Sequence, residues 1–166
     1  MKTSRILTGL SAGVLLALAG GTQAAVDTVN FQVTANVVAF CDVDAQDLAF
    51  GDFDATADIA ATSTITVNCT NLHPFTLTMD AGDATGSSIA SRTLENAGGD
   101  LLTYNLYTDL GHTDIWGDTL ATGVNGVGAG VTTDVTHTVF GELPAVGNEG
   151  ATTGLYSSTI TVTVNF

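Results

Sequence analysis

Apolar side chains recur at every second position along most of this chain, and beyond residue 24 no helical periodicity is sustained. Val29, Phe31, Val33, Ala35 and Val37 alternate with Asn30, Gln32, Thr34 and Asn36. Ile65, Val67 and Cys69 alternate with Thr66 and Asn68, and Phe75, Leu77 and Met79 with Thr76 and Thr78. Leu102, Tyr104 and Leu106 share one phase, as do Val131, Val135 and Val139 in a strand expected over 131–140. Ile160, Val162, Val164 and Phe166 alternate with Thr161, Thr163 and Asn165. Glycine-rich or Asp/Asn-rich turns separate these runs at 80–83, 96–100, 123–130 and 147–150. A two-residue period buries one face of each strand and wets the other, so the pattern predicts an all-β, antiparallel sandwich.

The first 24 residues read as a secretory signal peptide: Lys2 and Arg5, an apolar stretch from Ile6 to Ala19, then small residues up to Ala24. The apolar stretch is shorter than the roughly 20 residues that span a bilayer. Residues 25–166 then form about one domain, expected to be exported and soluble with no membrane insertion. Removal of the leader leaves Arg92 as the one Lys or Arg against 17 acids. Such a surface has no basic patch with which to displace counterions, which excludes nucleic-acid partners and anionic lipid. Cys41 and Cys69 are the two cysteines, and export with an even count suggests one disulfide, the alternative being two buried thiols.

No catalytic or cofactor chemistry is found, and no enzyme activity is expected. The acids Asp42, Asp44, Asp47, Asp52, Asp54 and Asp58 lack the glycine and the terminal Glu of a calcium loop and read as a solvated face. His73, His112 and His137 show no metal-ligand spacing. His137 shares the phase of Val135 and Val139 and is expected to be neutral, hydrogen-bonded and partly buried. Trp116 reads as a core residue, and Gly126–Gly130 as a loop without the helix a phosphate cradle needs. Clustered nucleophile, base and acid residues would mark a ligand-binding or enzymatic sandwich, and none are seen.

Two of the cleanest amphipathic strands lie at the two ends of residues 25–166. They could be ordinary strands of a closed sandwich. Alternatively the first could serve another copy, its apolar row filling a groove where a strand is missing. Five such side chains at about 1.5–3 kcal/mol each amount to roughly 10 kcal/mol gross, with a backbone ladder in addition.

Ordered segments also match a known family. They are an amphipathic stretch leading to Cys41; Leu48–Phe53; Ile65–Thr70; Phe75–Gly82; Arg92–Leu94; Leu102–Asp109; Ile115–Asp118; Val139–Pro144; and Gly154–Tyr156 followed by Ser158–Phe166. In this order the chain resembles the spore coat protein U domain family, which includes major subunits of archaic chaperone–usher pili. The resemblance implies an incomplete immunoglobulin-like β-sandwich over 39–166, completed by donor-strand exchange. It implies a donor segment over 25–38 with Val29, Phe31, Val33, Ala35 and Val37 as its inserted row. It implies an acceptor and chaperone-contact strand carrying Ile160, Val162, Val164 and Phe166, and a Cys41–Cys69 disulfide. The implied partners are identical or related pilus subunits, a periplasmic chaperone and an outer-membrane usher. The implied place is a cell-surface fibre reached through the periplasm, serving adhesion or biofilm formation. A free-standing secreted coat or matrix protein, closed by its own leading strand, is the alternative within the same family.

Overall fold

A computed structural model describes residues 24–166. The leader expected over residues 1–24 lies outside them save for Ala24. Residues up to Ala35 and residues Asn36–Phe166 form separate units, and every strand belongs to the second. Among the described residues there are nine strands: β1 Cys41–Ala45, β2 Ile59–Cys69, β3 Pro74–Met79, β4 Arg92–Asn96, β5 Leu101–Tyr107, β6 Val124–Val127, β7 Val135–Leu143, β8 Tyr156–Ser157 and β9 Val162–Asn165. They make a six-stranded sheet in the order β1-β2-β7-β5-β4-β8 and a three-stranded sheet in the order β6-β3-β9. Every ladder is antiparallel.

The two-residue period sets the core. Ile65, Val67 and Cys69 of β2, Phe75, Leu77 and Met79 of β3, and Leu102, Tyr104 and Leu106 of β5 are all buried. Val139 and Leu143 of β7 join them, as does Trp116, whose Nε1 donates to the Leu77 carbonyl at 3.0 Å. Removing this much apolar surface from water is the main favourable term in such a fold.

Three segments differ from the sequence reading. The strand expected over 131–140 begins only at Val135, because Val131 lies in a turn closed by the Thr133 N–H on the Gly130 carbonyl. The glycine-rich stretch 123–130 is not all loop: Val124–Val127 pairs with β3 as β6, where Gly126 leaves room for the Phe75 ring. The last run, expected from Ile160 to Phe166, is a strand only over Val162–Asn165, which pairs with β3, while Tyr156–Ser157 just ahead of it pairs with β4 in the other sheet.

Arg92 is fully buried in β4 with no carboxylate in ion-pairing reach among the described residues. Its Nε and Nη2 donate to the Asp80 carbonyl at 3.0 and 2.9 Å, Nη2 also to the Trp116 carbonyl at 2.6 Å, and Nη1 to Asn105 Oδ1 at 2.6 Å. Burial lowers its pKa from the ordinary arginine value, opposed by the nearby Tyr104, Asp80 and Asp118. The guanidinium thus ties β4 and β5 of the larger sheet to the end of β3 in the smaller one. Arg92→Met leaves these acceptors without donors and should cost about 3 kcal/mol, read by urea denaturation. A loss under about 0.5 kcal/mol would show that the hydrogen bonds add little.

His137 sits half-buried on β7, its ring edge-on to Phe75 with centroids 5.8 Å apart. The sequence reading expected a hydrogen-bonded imidazole, but the buried Nε2 has no partner. Burial draws its pKa below the ordinary 6.5. The unfolded chain therefore takes up this proton at a higher pH than the folded one, so the contribution is complete above pH 6.5 and lost as pH falls through the lower, folded-state value. Tm measured downward from pH 6.5 should decline more steeply in the native chain than in His137→Gln. Parallel slopes would rule the histidine out as the cause.

Candidate strand-accepting groove

The two sheets share an unsealed seam. β1 ends the larger sheet, β9 ends the smaller one, and these two edges lie beside each other. Each has a ladder on one side only, β2 for β1 and β3 for β9. Edge strands of this kind present unpaired backbone N–H and C=O groups.

The side chains along the seam are half covered. Val43 of β1, Ile160, and Val162 and Val164 of β9 pack against the core yet stay partly exposed, whereas Ile65 and Val67 of β2 are 1% and 0% exposed. Leu48, Phe50 and Phe53, from the connection after β1, are also half-buried against the core. Phe50 meets Tyr104 edge-on at 5.9 Å. Leu48 and Phe50 lie over Gly141 of β7, where an added Cβ would approach Leu48 Cδ1 to 2.9 Å and Phe50 Cζ to 3.1 Å. An apolar row flanked by two unpaired edges is the arrangement that strand addition uses, with main-chain hydrogen bonds for affinity and alternate side chains for specificity; where β1 and β9 approach within 8 Å between Cα atoms they must part to admit a segment, since neighbouring strands lie about 4.8 Å apart.

Cys41 stands opposite Cys69 in the β1–β2 ladder, and the two are bonded with Cα atoms 4.1 Å apart. The disulfide fixes the start of β1, and so one wall of the seam. Closing a loop of 28 residues stabilises by about 3.5 kcal/mol in the chain-entropy account.

The other wall is positioned by two aspartates. Asp80 Oδ1 accepts from the Thr161 and Gly82 N–H groups, both at 2.9 Å, while the Asp80 N–H donates to the Thr161 carbonyl at 3.1 Å. Asp83 Oδ1 accepts from the Thr159 N–H at 2.6 Å, and its own N–H donates to the Thr159 carbonyl at 3.2 Å. The bond from Thr159 holds the Asp83 pKa below the usual carboxylate range. Side-chain carboxylates thus replace a ladder as the chain crosses from β8 to β9, which explains why the last strand starts only at Val162. Gly82 permits the approach: its φ is +87°, and an added Cβ would lie 2.5 Å from Ser158 Oγ and 2.9 Å from Ile160 Cδ1.

Residues 24–40 belong to no strand. Val29, Phe31, Val33 and Val37 are 88%, 83%, 80% and 83% exposed, and Ala35 is exposed too. Of the residues expected on the last strand, Ile160, Val162 and Val164 face the core side of the seam. Phe166 stands out, 57% exposed, with its ring edge-on to His73 at 6.2 Å. His112 Nδ1 lies 3.5 Å from Glu142 Oε1. Among the described residues no three His, Cys, Asp or Glu side chains are placed to hold a metal ion. The roles of Asp80, Gly82, Asp83 and Arg92 escaped the sequence reading. Asp80 and Gly82 looked like turn residues, and only the ladder of β9 on β3 reveals what they hold.

A spore coat protein U domain model matches residues 27–163. Protein U of Myxococcus xanthus is 31% identical over 160 residues, covering 87% of each chain. Among solved structures, a chain in the CsuC–CsuE chaperone–tip adhesion subunit pre-assembly complex, from archaic chaperone–usher Csu pili of Acinetobacter baumannii, superposes with a TM-score of 0.57 at 21% identity. That match covers 78% of this chain and spans 40% of the other, and it speaks to the fold. With an antiparallel, immunoglobulin-like sandwich and a family match along nearly its whole length, the chain belongs to the spore coat protein U domain family.

Proposed function

We propose that this protein is a structural subunit of a surface fibre, polymerised by donor-strand exchange, and not an enzyme. Val29, Phe31, Val33, Ala35 and Val37 of one copy enter the β1–β9 seam of the next. The observation that carries this reading is a match within one chain: an alternating apolar row that belongs to no strand, and a half-covered apolar seam between two unpaired edges. Such a contact joins two different surfaces, so repeated head to tail it gives an open fibre rather than a closed ring.

Exposed apolar side chains beside unpaired edges invite aggregation before assembly. That need is met by a periplasmic chaperone lending a strand, with an outer-membrane usher where subunits exchange it. The likeness to a chaperone–subunit complex supports the chaperone. Export through the periplasm to the cell surface follows from the leader and the assembly route, and adhesion or biofilm formation is the role such a fibre serves. Likeness to Protein U over most of both chains favours a second reading, a free-standing coat or matrix protein whose leading segment closes its own seam.

Deleting residues 25–37 should abolish SDS-resistant ladders in unboiled samples while leaving a folded, disulfide-bonded domain. Phe31→Asp should act the same way, because it places a charge in an apolar seam. Ladders that survive the deletion would reject donation by this segment. A native chain that stays monomeric at every concentration, yet loses stability on deletion, would favour the coat protein.

A further inference from the structure

We propose that the pole of the sandwich at the root of the leading segment is a second contact between copies, docking on the body of the copy that accepts that segment. The proposal rests on the strand-exchange reading. Five exposed apolar side chains gather round the β2–β3 turn: Phe40, Leu72, Val127, Val131 and Phe166, at 54%, 77%, 54%, 53% and 57% exposure. Their backbones are tied together there. Thr70 N–H donates to the Phe40 carbonyl at 2.9 Å, Leu72 N–H to the Gly128 carbonyl at 2.8 Å, and Gly130 N–H to the Cys69 carbonyl at 3.1 Å. Val127 pairs with Pro74, and the Phe166 ring meets His73.

Two observations argue for an interface. Leu72 is held at φ +59° in this turn, a conformation that costs a leucine energy and that Asn or Gly adopts readily. A bulky apolar side chain is therefore kept at an exposed and unfavourable position. The pole also carries no charged side chain. The segments meeting there, 28–41, 69–79, 119–133 and 159–166, contain no Asp, Glu, Lys or Arg, in a chain with 17 acids. Two acids border it: Asp42, opposite Asn68 in the β1–β2 ladder, and Asp134, engaged by Asn68 Nδ2 at 2.8 Å.

The occupant is a second copy of this chain. Elsewhere two copies oppose acid with acid, since Arg92 is buried, whereas at this pole, which has no charged side chain of its own, they approach with less like-charge repulsion. The tether is also short. Only Val38, Ala39 and Phe40 lie between Val37, the last of the inserted row, and Cys41 at the start of β1, which allows about 14 Å even fully extended. A copy that holds Val37 in its seam must lie against this pole.

Hydroxyl-radical footprinting of fibres, with monomeric Phe31→Asp as the reference, tests the contact. Oxidation of Phe40, Leu72 and Phe166 should fall about threefold or more in the fibre, as burial in an interface requires. Leu110 and Leu155, 76% and 88% exposed on other parts of the surface, should react as in the monomer. Ladders that form while Leu72 and Phe166 keep their monomer reactivity would overturn the docking proposal and leave strand exchange standing. If the native chain gives no SDS-resistant ladders, strand exchange and docking fail together.

Discussion

A single buried guanidinium braces the chain from which the last strand is hung, beside that strand's own ladder on β3. Arg92 grips the main chain of Asp80 through two hydrogen bonds, and the Asp80 side chain in turn holds Thr161 just ahead of β9. The line from the middle of the fold to one wall of the seam therefore runs β4, Arg92, Asp80, Thr161, β9. A buried arginine normally needs a carboxylate partner. This one is stabilised by three neutral acceptors, the carbonyls of Asp80 and Trp116 and the Asn105 amide oxygen. The arrangement leaves both Asp80 carboxylate oxygens free of the guanidinium, so Oδ1 can serve the chain crossing instead. Replacing the partner with an ion pair would spend the aspartate and loosen the strand that needs it.

The opposite wall is fixed by a covalent device. The disulfide holds Cys41 against Cys69 where β1 begins. Two neighbouring edges that share no ladder are unusual, because a sandwich gains most by closing over its own apolar faces. Here Val43, Ile160, Val162 and Val164 remain half covered while the interior strands are sealed. Under the proposed strand exchange, a seam that accepts a strand from outside cannot depend on that strand for its own shape. The disulfide at β1 and the Asp80 and Asp83 bonds ahead of β9 would meet that requirement, since neither relies on a ladder between the two edges.

Much of this was legible in the sequence, for a simple reason. Alternation reports burial directly, so β2, β3 and β5 were located by the phases of Ile65, Phe75 and Leu102. Where burial alternates but the chain also turns, the pattern misleads. Val131 shares the phase of Val135 and Val139 yet sits in a turn, and the glycines around β6 hid a strand whose lack of side chains is what admits Phe75. The late start of the final strand, at Val162, was beyond reach, since Ser158–Phe166 reads as unbroken alternation. What interrupts it is a pair of aspartates some 80 residues earlier in sequence, and periodicity carries no information about distant hydrogen bonds. Arg92 could be counted but not placed, because a lone cation in an acidic chain is ordinarily a surface residue.

The same alternation constrains how the proposed exchange can occur. A slip of one residue in the donor would turn Asn30, Gln32, Thr34 and Asn36 inward in place of the apolar row. Each buried amide or hydroxyl without a partner costs about 1–3 kcal/mol, so a slipped register forfeits most of what the aligned one gains. A slip of two residues restores polarity but changes size: Phe31 would move to the place that Val29 or Val33 takes in the aligned register, and the tether to Cys41 would lengthen or shorten by about 7 Å. With the root of the segment held at the disulfide, the short link and the single large side chain select the same register independently.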